Sequence, residues 1–120
     1  MTVTSREIGN IGEDYTVRYL KSKGCEILER NFCIRGGELD IVAKKGNLLH
    51  IVEVKTRKAG ALSSGDEAIT PKKISRIIRA ANAYICAHEL EMSCVFDVAV
   101  VELSGSEVTG FKYIQRAFTA

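Results

Sequence analysis

Apolar positions along this chain fall into helical spacing twice and into strand-like runs between and after. Ile8, Gly12, Tyr15, Thr16, Tyr19 and Leu20 form one stripe, predicting a helix from about Ser5 to Lys23 with Gly24 as its stop. A strand follows through Ile27 to Ile34. The segment from Glu38 to Thr56 then reads as two strands around Gly46-Asn47, a two-residue hairpin signal. Arg57 to Ile69 has the composition of a loop, with Gly60, Ser63, Ser64 and Gly65. Thr70 as N-cap and Pro71 at the first helical position open a second helix. Its core stripe is Ile74, Ile77, Ile78, Ala81 and Ile85. Val95 to Leu103 is a dense apolar strand, and Phe111 to Gln115 a short last one. The order α-β-β-β-α-β-β predicts an α/β fold: a mixed sheet of about five strands flanked by helices on both faces, in one domain spanning residues 1–120.

The central hairpin carries an oddity. If Gly46 and Asn47 form the loop, Asp40 lies opposite Glu53 and Glu38 opposite Lys55, all four on one face. Val42, Leu49 and Ile51 continue that face, while Leu39, Ile41, Ala43, Val52 and Val54 form the other. Apolar residues on both faces describe a strand pair covered on both sides, so the charges sit half-buried. Directly opposed Cβ atoms are roughly 4.5–5.5 Å apart and like charges there are destabilising. A salt-bridge network would suit a lone pair of opposite charges. An excess of carboxylate in this geometry points instead to a divalent metal. A one-residue slip of register would separate the two acids.

Composition narrows the class. A chain of 120 residues can bury roughly two-thirds of its surface. The polar N-terminus lacks a signal-peptide block and no apolar run is long enough to cross a membrane, giving the expectation of a cytoplasmic protein without membrane partners. Cys25, Cys33, Cys86 and Cys94 show no C-x-x-C spacing, so they are expected to be buried thiols rather than disulfides or zinc ligands. The net charge of +2 is too small to imply nucleic acid alone, but it is unevenly spread. Lys55, Arg57, Lys58, Lys72, Lys73, Arg76 and Arg79 face only Asp66 and Glu67 over the same stretch. Lys72, Lys73, Arg76 and Arg79 are expected on the outer side of the second helix, with Arg57 and Lys58 brought to the acidic hairpin by the loop. A solvated helix face is the ordinary meaning of such a run; beside an acidic metal site it suits a phosphate backbone. No base-reading motif is visible, so backbone or shape recognition is expected.

Asp40 followed by Glu53-x-Lys55 resembles the catalytic core of the PD-(D/E)xK nuclease superfamily. The likeness extends to the YraN-like family of small bacterial proteins. It rests on Gly9-x-x-Gly12-Glu13, Glu29-Arg30-Asn31-Phe32, Gly37-Glu38-Leu39-Asp40-Ile41-Val42 and Val52-Glu53-Val54-Lys55-Thr56-Arg57. Glu67-Ala68-Ile69-Thr70-Pro71-x-Lys73, Phe96-Asp97-Val98 and Ile114-Gln115-Arg116-Ala117-Phe118 complete it. Ile51 stands where an aromatic is common, Cys25 where tyrosine is common, and no proline directly precedes Asp40. The resemblance implies a restriction-endonuclease-like fold and a Holliday-junction-resolvase-like activity on DNA.

Under that reading Asp40 and Glu53 hold Mg²⁺ or Mn²⁺, with the Val54 carbonyl as a third oxygen. Lys55 orients the attacking water and stabilises charge on the phosphate. Glu13 reaches the site through water or helps hold a second metal; otherwise it is a surface acid near a helix start. Glu38 stands behind them, against Lys55. His50 and His88 are expected to be structural. The leading function is an endonuclease cutting DNA, branched or otherwise structured by analogy with resolvases, acting as a homodimer by the same resemblance. The alternative is a nucleic-acid-binding module with this fold and little or no turnover. A third is a structural protein in which the charged row is an ion network.

Overall fold

The computed structural model describes residues 4–60 and 69–120. The expected features at Ser63, Ser64, Gly65, Asp66, Glu67 and Ala68 lie outside the described residues. Seven elements follow in the expected order: α1 (Ser5–Ser22), β1 (Glu26–Ile34), β2 (Gly37–Lys45), β3 (Leu48–Lys58), α2 (Pro71–Ala87), β4 (Ser93–Ser104) and β5 (Glu107–Phe118). The strands form one mixed sheet in the order β1-β2-β3-β4-β5. Only β3 and β4 run parallel, joined across α2; every other neighbouring pair is antiparallel.

Both helices start and stop where their polar signals stand. Thr4 caps α1 by accepting the Glu7 N–H at 3.1 Å, and Thr70 caps α2 by accepting the Lys73 N–H at 3.2 Å, each satisfying a donor the helix cannot. Gly24, at φ +88°, takes the chain out of α1 in the left-handed region. The apolar faces then close two layers. Ile77, Ala80, Ala81 and Tyr84 of α2 pack on Leu39, Val42, Leu49, Ile51 and Phe96, while Val17 and Leu20 of α1 pack on Ile41, Ala43, Val52 and Ala99.

One face assignment differs from expectation. Leu39 belongs with Val42 on the α2 side, not with Ile41 and Ala43 on the α1 side. Strict alternation would keep 39 and 41 together. The β1–β2 pairs run Arg30↔Ile41 and Phe32↔Leu39, and Asn31 between them has φ +54°. A left-handed residue breaks the pleat, and the faces exchange there.

Three further expectations need correcting. Arg57 and Lys58 are not in a loop: β3 runs to Lys58, held by parallel pairing to Leu103. The last strand is twelve residues, forming a long hairpin with β4 around Gly105. Its ends were illegible because an outer strand mixes Thr109, Lys112 and Gln115 with its apolar residues. The four cysteines are free thiols, but Cys33 and Cys86 are exposed and Cys25 and Cys94 half-buried. Among the described residues no helix is long and apolar enough to cross a membrane.

Candidate active site

The hairpin register is the one the Gly46-Asn47 turn implies, with Lys45↔Leu48 through Ile41↔Val52 in ladder pairing. The ladder ends there, one step before Asp40 and Glu53. Beyond it the Val54 N–H is bonded not to β2 backbone but to the Asp40 carboxylate, at 2.8 Å. Asp40 thus supplies the acceptor that a buried strand amide requires where its own strand parts from β3.

Glu53 is only 5 % exposed, and it meets Asp40 carboxyl to carboxyl. Burial first, then the hydrogen bond and charge of Glu53, push the Asp40 carboxyl up to about 7, against the opposing pull of the Val54 N–H and Lys73. Two acids that close cannot both ionise cheaply. From α2, the Lys73 ammonium sits 3.0 Å from Glu53 Oε2. Burial works against that ammonium, but Glu53, with Asp40 and Glu38 behind it, outweighs burial and the Lys73 pKa stands above its ordinary value. Lys73 is therefore an ion-pair partner of the acidic site rather than one of a solvated row, because α2 packs over β1 and β2 and its first turn borders the cleft into which Glu53 opens.

From the opposite layer, Glu13 of α1 is buried, 7 % exposed. Its Oε1 accepts from Arg30 Nε at 3.1 Å and Asn31 Nδ2 at 3.0 Å. Burial raises the Glu13 carboxyl; Arg30 and Asn31 pull the other way, and Asp40 adds repulsion. Asp40 therefore interacts with α1 on one side of the sheet and α2 on the other, which the exchange of faces at residues 31 and 40 makes possible.

A cleft of about 370 Å³ opens on this cluster, lined by Glu53, Val54, Lys55, Thr56, Arg57, Ile69, Thr70 and Lys73. A larger one, about 630 Å³, adjoins it at Thr56 and Arg57 and is bordered by Ile8, Lys58, Ala59, Leu103, Ser104 and Gly105. Among the described residues no carboxylate lines the larger cleft, whereas Glu53 opens into the smaller one. Glu38 is not in ladder register with Lys55, although its charge still adds to the hold on Lys73. It pairs across β1 with Cys33, is exposed, and accepts weakly from the Cys33 thiol at 3.9 Å. The splay between β2 and β3 takes it out of register with Lys55. Lys72, Arg76 and Arg79 do lie on the exposed side of α2, with the Arg79 guanidinium against Gly36 at the β1–β2 turn.

Glu53 lines the cleft and Asp40 meets it from behind, two hard oxygen donors of a kind that fits Mg²⁺ or Mn²⁺. Among the described residues no three His, Cys, Asp or Glu side chains converge into a complete cage. Glu13 is thus set back from the pair, and further oxygens would come from backbone, water or substrate.

Sequence reasoning gave no role to Arg30 or Asn31, which hold Glu13, or to Asp97. The latter is fully buried and accepts from His50 Nδ1 at 2.7 Å, Tyr113 Oη at 2.6 Å and the Arg116 N–H at 3.0 Å. That clasp ties β3, β4 and β5 together away from the acidic cleft. Burial, then the bond to Asp97, drives the Tyr113 phenol well above its ordinary range. The signal was a charged residue inside the apolar run 95–101; its partners are far apart in sequence.

A family profile described as "Uncharacterised protein family UPF0102" matches residues 12–101. The chain belongs to that family. It is the YraN-like group of small bacterial proteins. Among UPF0102 relatives, the protein from Dictyoglomus turgidum is 38 % identical over 118 residues, covering 97 % of this chain and all of its own. The one from Hahella chejuensis is 40 % identical over 118 residues, covering 98 % of this chain and 94 % of its own. The UPF0102 protein of Caldicellulosiruptor saccharolyticus is 40 % identical over 119 residues, covering 97 % of this chain and all of its own.

Proposed function

We propose that this UPF0102 protein is a metal-dependent endonuclease that hydrolyses phosphodiester bonds of DNA, with branched or otherwise structured DNA as its substrate class. The observation that carries the reading is the carboxyl pair Asp40–Glu53, whose Glu53 opens into a cleft that also holds Lys55 and Lys73. A half-buried acid pair at the edge of a splayed sheet is costly without a cation, and the resemblance to PD-(D/E)xK nucleases gives the same residues that use. Mg²⁺ or Mn²⁺ bound there would polarise a phosphoryl oxygen and lower the pKa of a water.

The chain's own groups have distinct tasks. Asp40 and Glu53 hold the ion. Lys55, on the same strand and in the same cleft, stabilises charge developing on the phosphate and orients the attacking water. Lys73 neutralises Glu53 in the metal-free protein and, once an ion takes that place, is free to meet a phosphate oxygen. Glu13 acts from the α1 side through water. Arg57, Lys58, Lys72, Arg76 and Arg79 provide backbone contacts on either side of the cleft. A homodimer suits two symmetric scissile positions.

The test is cleavage of four-way, single-stranded and linear duplex DNA, and of RNA, with and without Mg²⁺, by the wild type, Asp40→Asn and Glu53→Gln. Cleavage by the wild type alone supports the proposal. A second reading has one observation in its favour: Lys73 already satisfies Glu53, as a binding module without a metal would need. Tight DNA binding without cleavage, unchanged in both variants, would establish that reading instead.

A further inference from the structure

We propose, resting on the nuclease reading above, that Asn31 is a positioning residue for Glu13: its left-handed backbone is a built device that aims one oxygen of Glu13 at the Asp40–Glu53 site. Adjacent residues of a strand point to opposite faces. Arg30 and Asn31 are adjacent in β1, yet both donate to the same oxygen, Glu13 Oε1, at 3.1 and 3.0 Å. They converge because Asn31 has φ +54°, which breaks the alternation at that point. Asparagine is among the few residues other than glycine that enter this region readily. Its short amide then lies close enough to the strand to reach the neighbouring helix.

The consequence falls on the second oxygen of Glu13. Both hydrogen bonds that the carboxylate receives among the described residues end on Oε1, and no buried side-chain oxygen or nitrogen there lacks a partner. Oε2 therefore keeps a narrow opening on a largely buried side chain, on a carboxylate whose charge reaches Asp40. Arg30 adds a second tether, its Nη2 donating to Asp14 Oδ1 at 2.7 Å. That bond fixes the guanidinium from the next residue of α1. Asn31 completes the clamp: with Arg30 alone the carboxylate could rotate about a single bond. The left-handed residue lies level with Asp40, between the Arg30↔Ile41 and Phe32↔Leu39 pairs, so the group that orients Glu13 stands beside the acidic site. An aspartate at 31 would adopt the backbone but repel Glu13; a glycine would keep the backbone and remove the donor.

Asn31→Gly is consequently the informative variant, since it retains the left-handed conformation without strain. A double-mutant cycle with Glu13→Gln separates positioning from support, read by calorimetric Mn²⁺ affinity and by cleavage rate on four-way DNA. The expected result is a folded Asn31→Gly protein with roughly tenfold slower cleavage, as for the loss of an outer orienting partner, and Mn²⁺ affinity reduced in the same direction. In the Glu13→Gln background the substitution should have no further effect on either quantity. The same loss in both backgrounds would mean that Asn31 acts elsewhere, for instance on DNA, and would overturn the proposal while leaving the nuclease reading intact. So would an Asn31→Gly protein that changes only in melting temperature. A wild type that neither binds Mn²⁺ nor cleaves would overturn both.

Discussion

Replacing Asp40 with asparagine isolates the electrostatic cost of the carboxyl pair. In the folded protein the Asp40 carboxyl is pushed up to about 7 from an ordinary 3.8. Because the folded state binds the proton more tightly than the unfolded one, the group favours folding fully only below about pH 3.8. That contribution declines as pH rises and is gone above about 7. The shift corresponds to at most about 4 kcal/mol, and sharing of charge between the two acids reduces what is measured. Asparagine keeps an acceptor for the Val54 N–H and can donate to Glu53, so it removes the repulsion and keeps both bonds. We expect Asp40→Asn to be more stable than wild type by about 2 kcal/mol at pH 8 in EDTA, and the advantage to shrink steadily below about pH 7 and vanish only below about pH 4. The assay is urea unfolding of both proteins at several pH values. Added Mn²⁺ should reverse the order, because binding at a hundredfold excess over Kd stabilises the wild type by about 2.7 kcal/mol and leaves the variant unchanged. A stability difference that is constant between pH 5 and pH 8, or a variant less stable than wild type at pH 8, would refute the reasoning.

Other consequences are as direct. At pH 6 Mn²⁺ binding should release close to one proton, and at pH 8 almost none, since Asp40 loses its proton on binding below about 7; calorimetry in two buffers of different ionisation enthalpy measures the count. Lys73→Met removes the cation 3.0 Å from Glu53 and should destabilise the metal-free protein by about 1 kcal/mol, the ammonium being half exposed; saturating Mn²⁺ should erase the deficit in a thermal melt. Gly37→Ala would bring a Cβ to 2.4 Å from the Arg76 carbonyl oxygen of α2, a backbone clash that should cost more than about 2 kcal/mol. Gly46→Ala, in open space at φ +60°, should cost only about 1 kcal/mol of backbone strain; urea unfolding of the two side by side checks the contrast.

Much of this protein was written in local pattern. Gly46-Asn47 determined the hairpin register, because a two-residue turn leaves one pairing for the strands it joins, and the ladder from Lys45↔Leu48 to Ile41↔Val52 obeys it. Thr70-Pro71 set the start of α2, and the two apolar faces of the hairpin announced helices on both sides of the sheet. From these alone Asp40 and Glu53 could be placed next to each other. Other features depended on where the chain leaves regularity, and alternation arguments assume that it does not. The left-handed Asn31 gave Glu13 two donors from one strand, Leu39 fell in the other layer, and the end of the β2–β3 ladder took Glu38 out of register with Lys55. The pairing of Lys73 with Glu53 followed from how α2 packs across β1 and β2, a matter of side-chain volumes between elements distant in the chain. The Asp97 clasp joined residues 50, 97, 113 and 116, whose separations carry no periodic signal. Sequence determines what each segment can bury; only the packed structure decides which buried charges must answer one another.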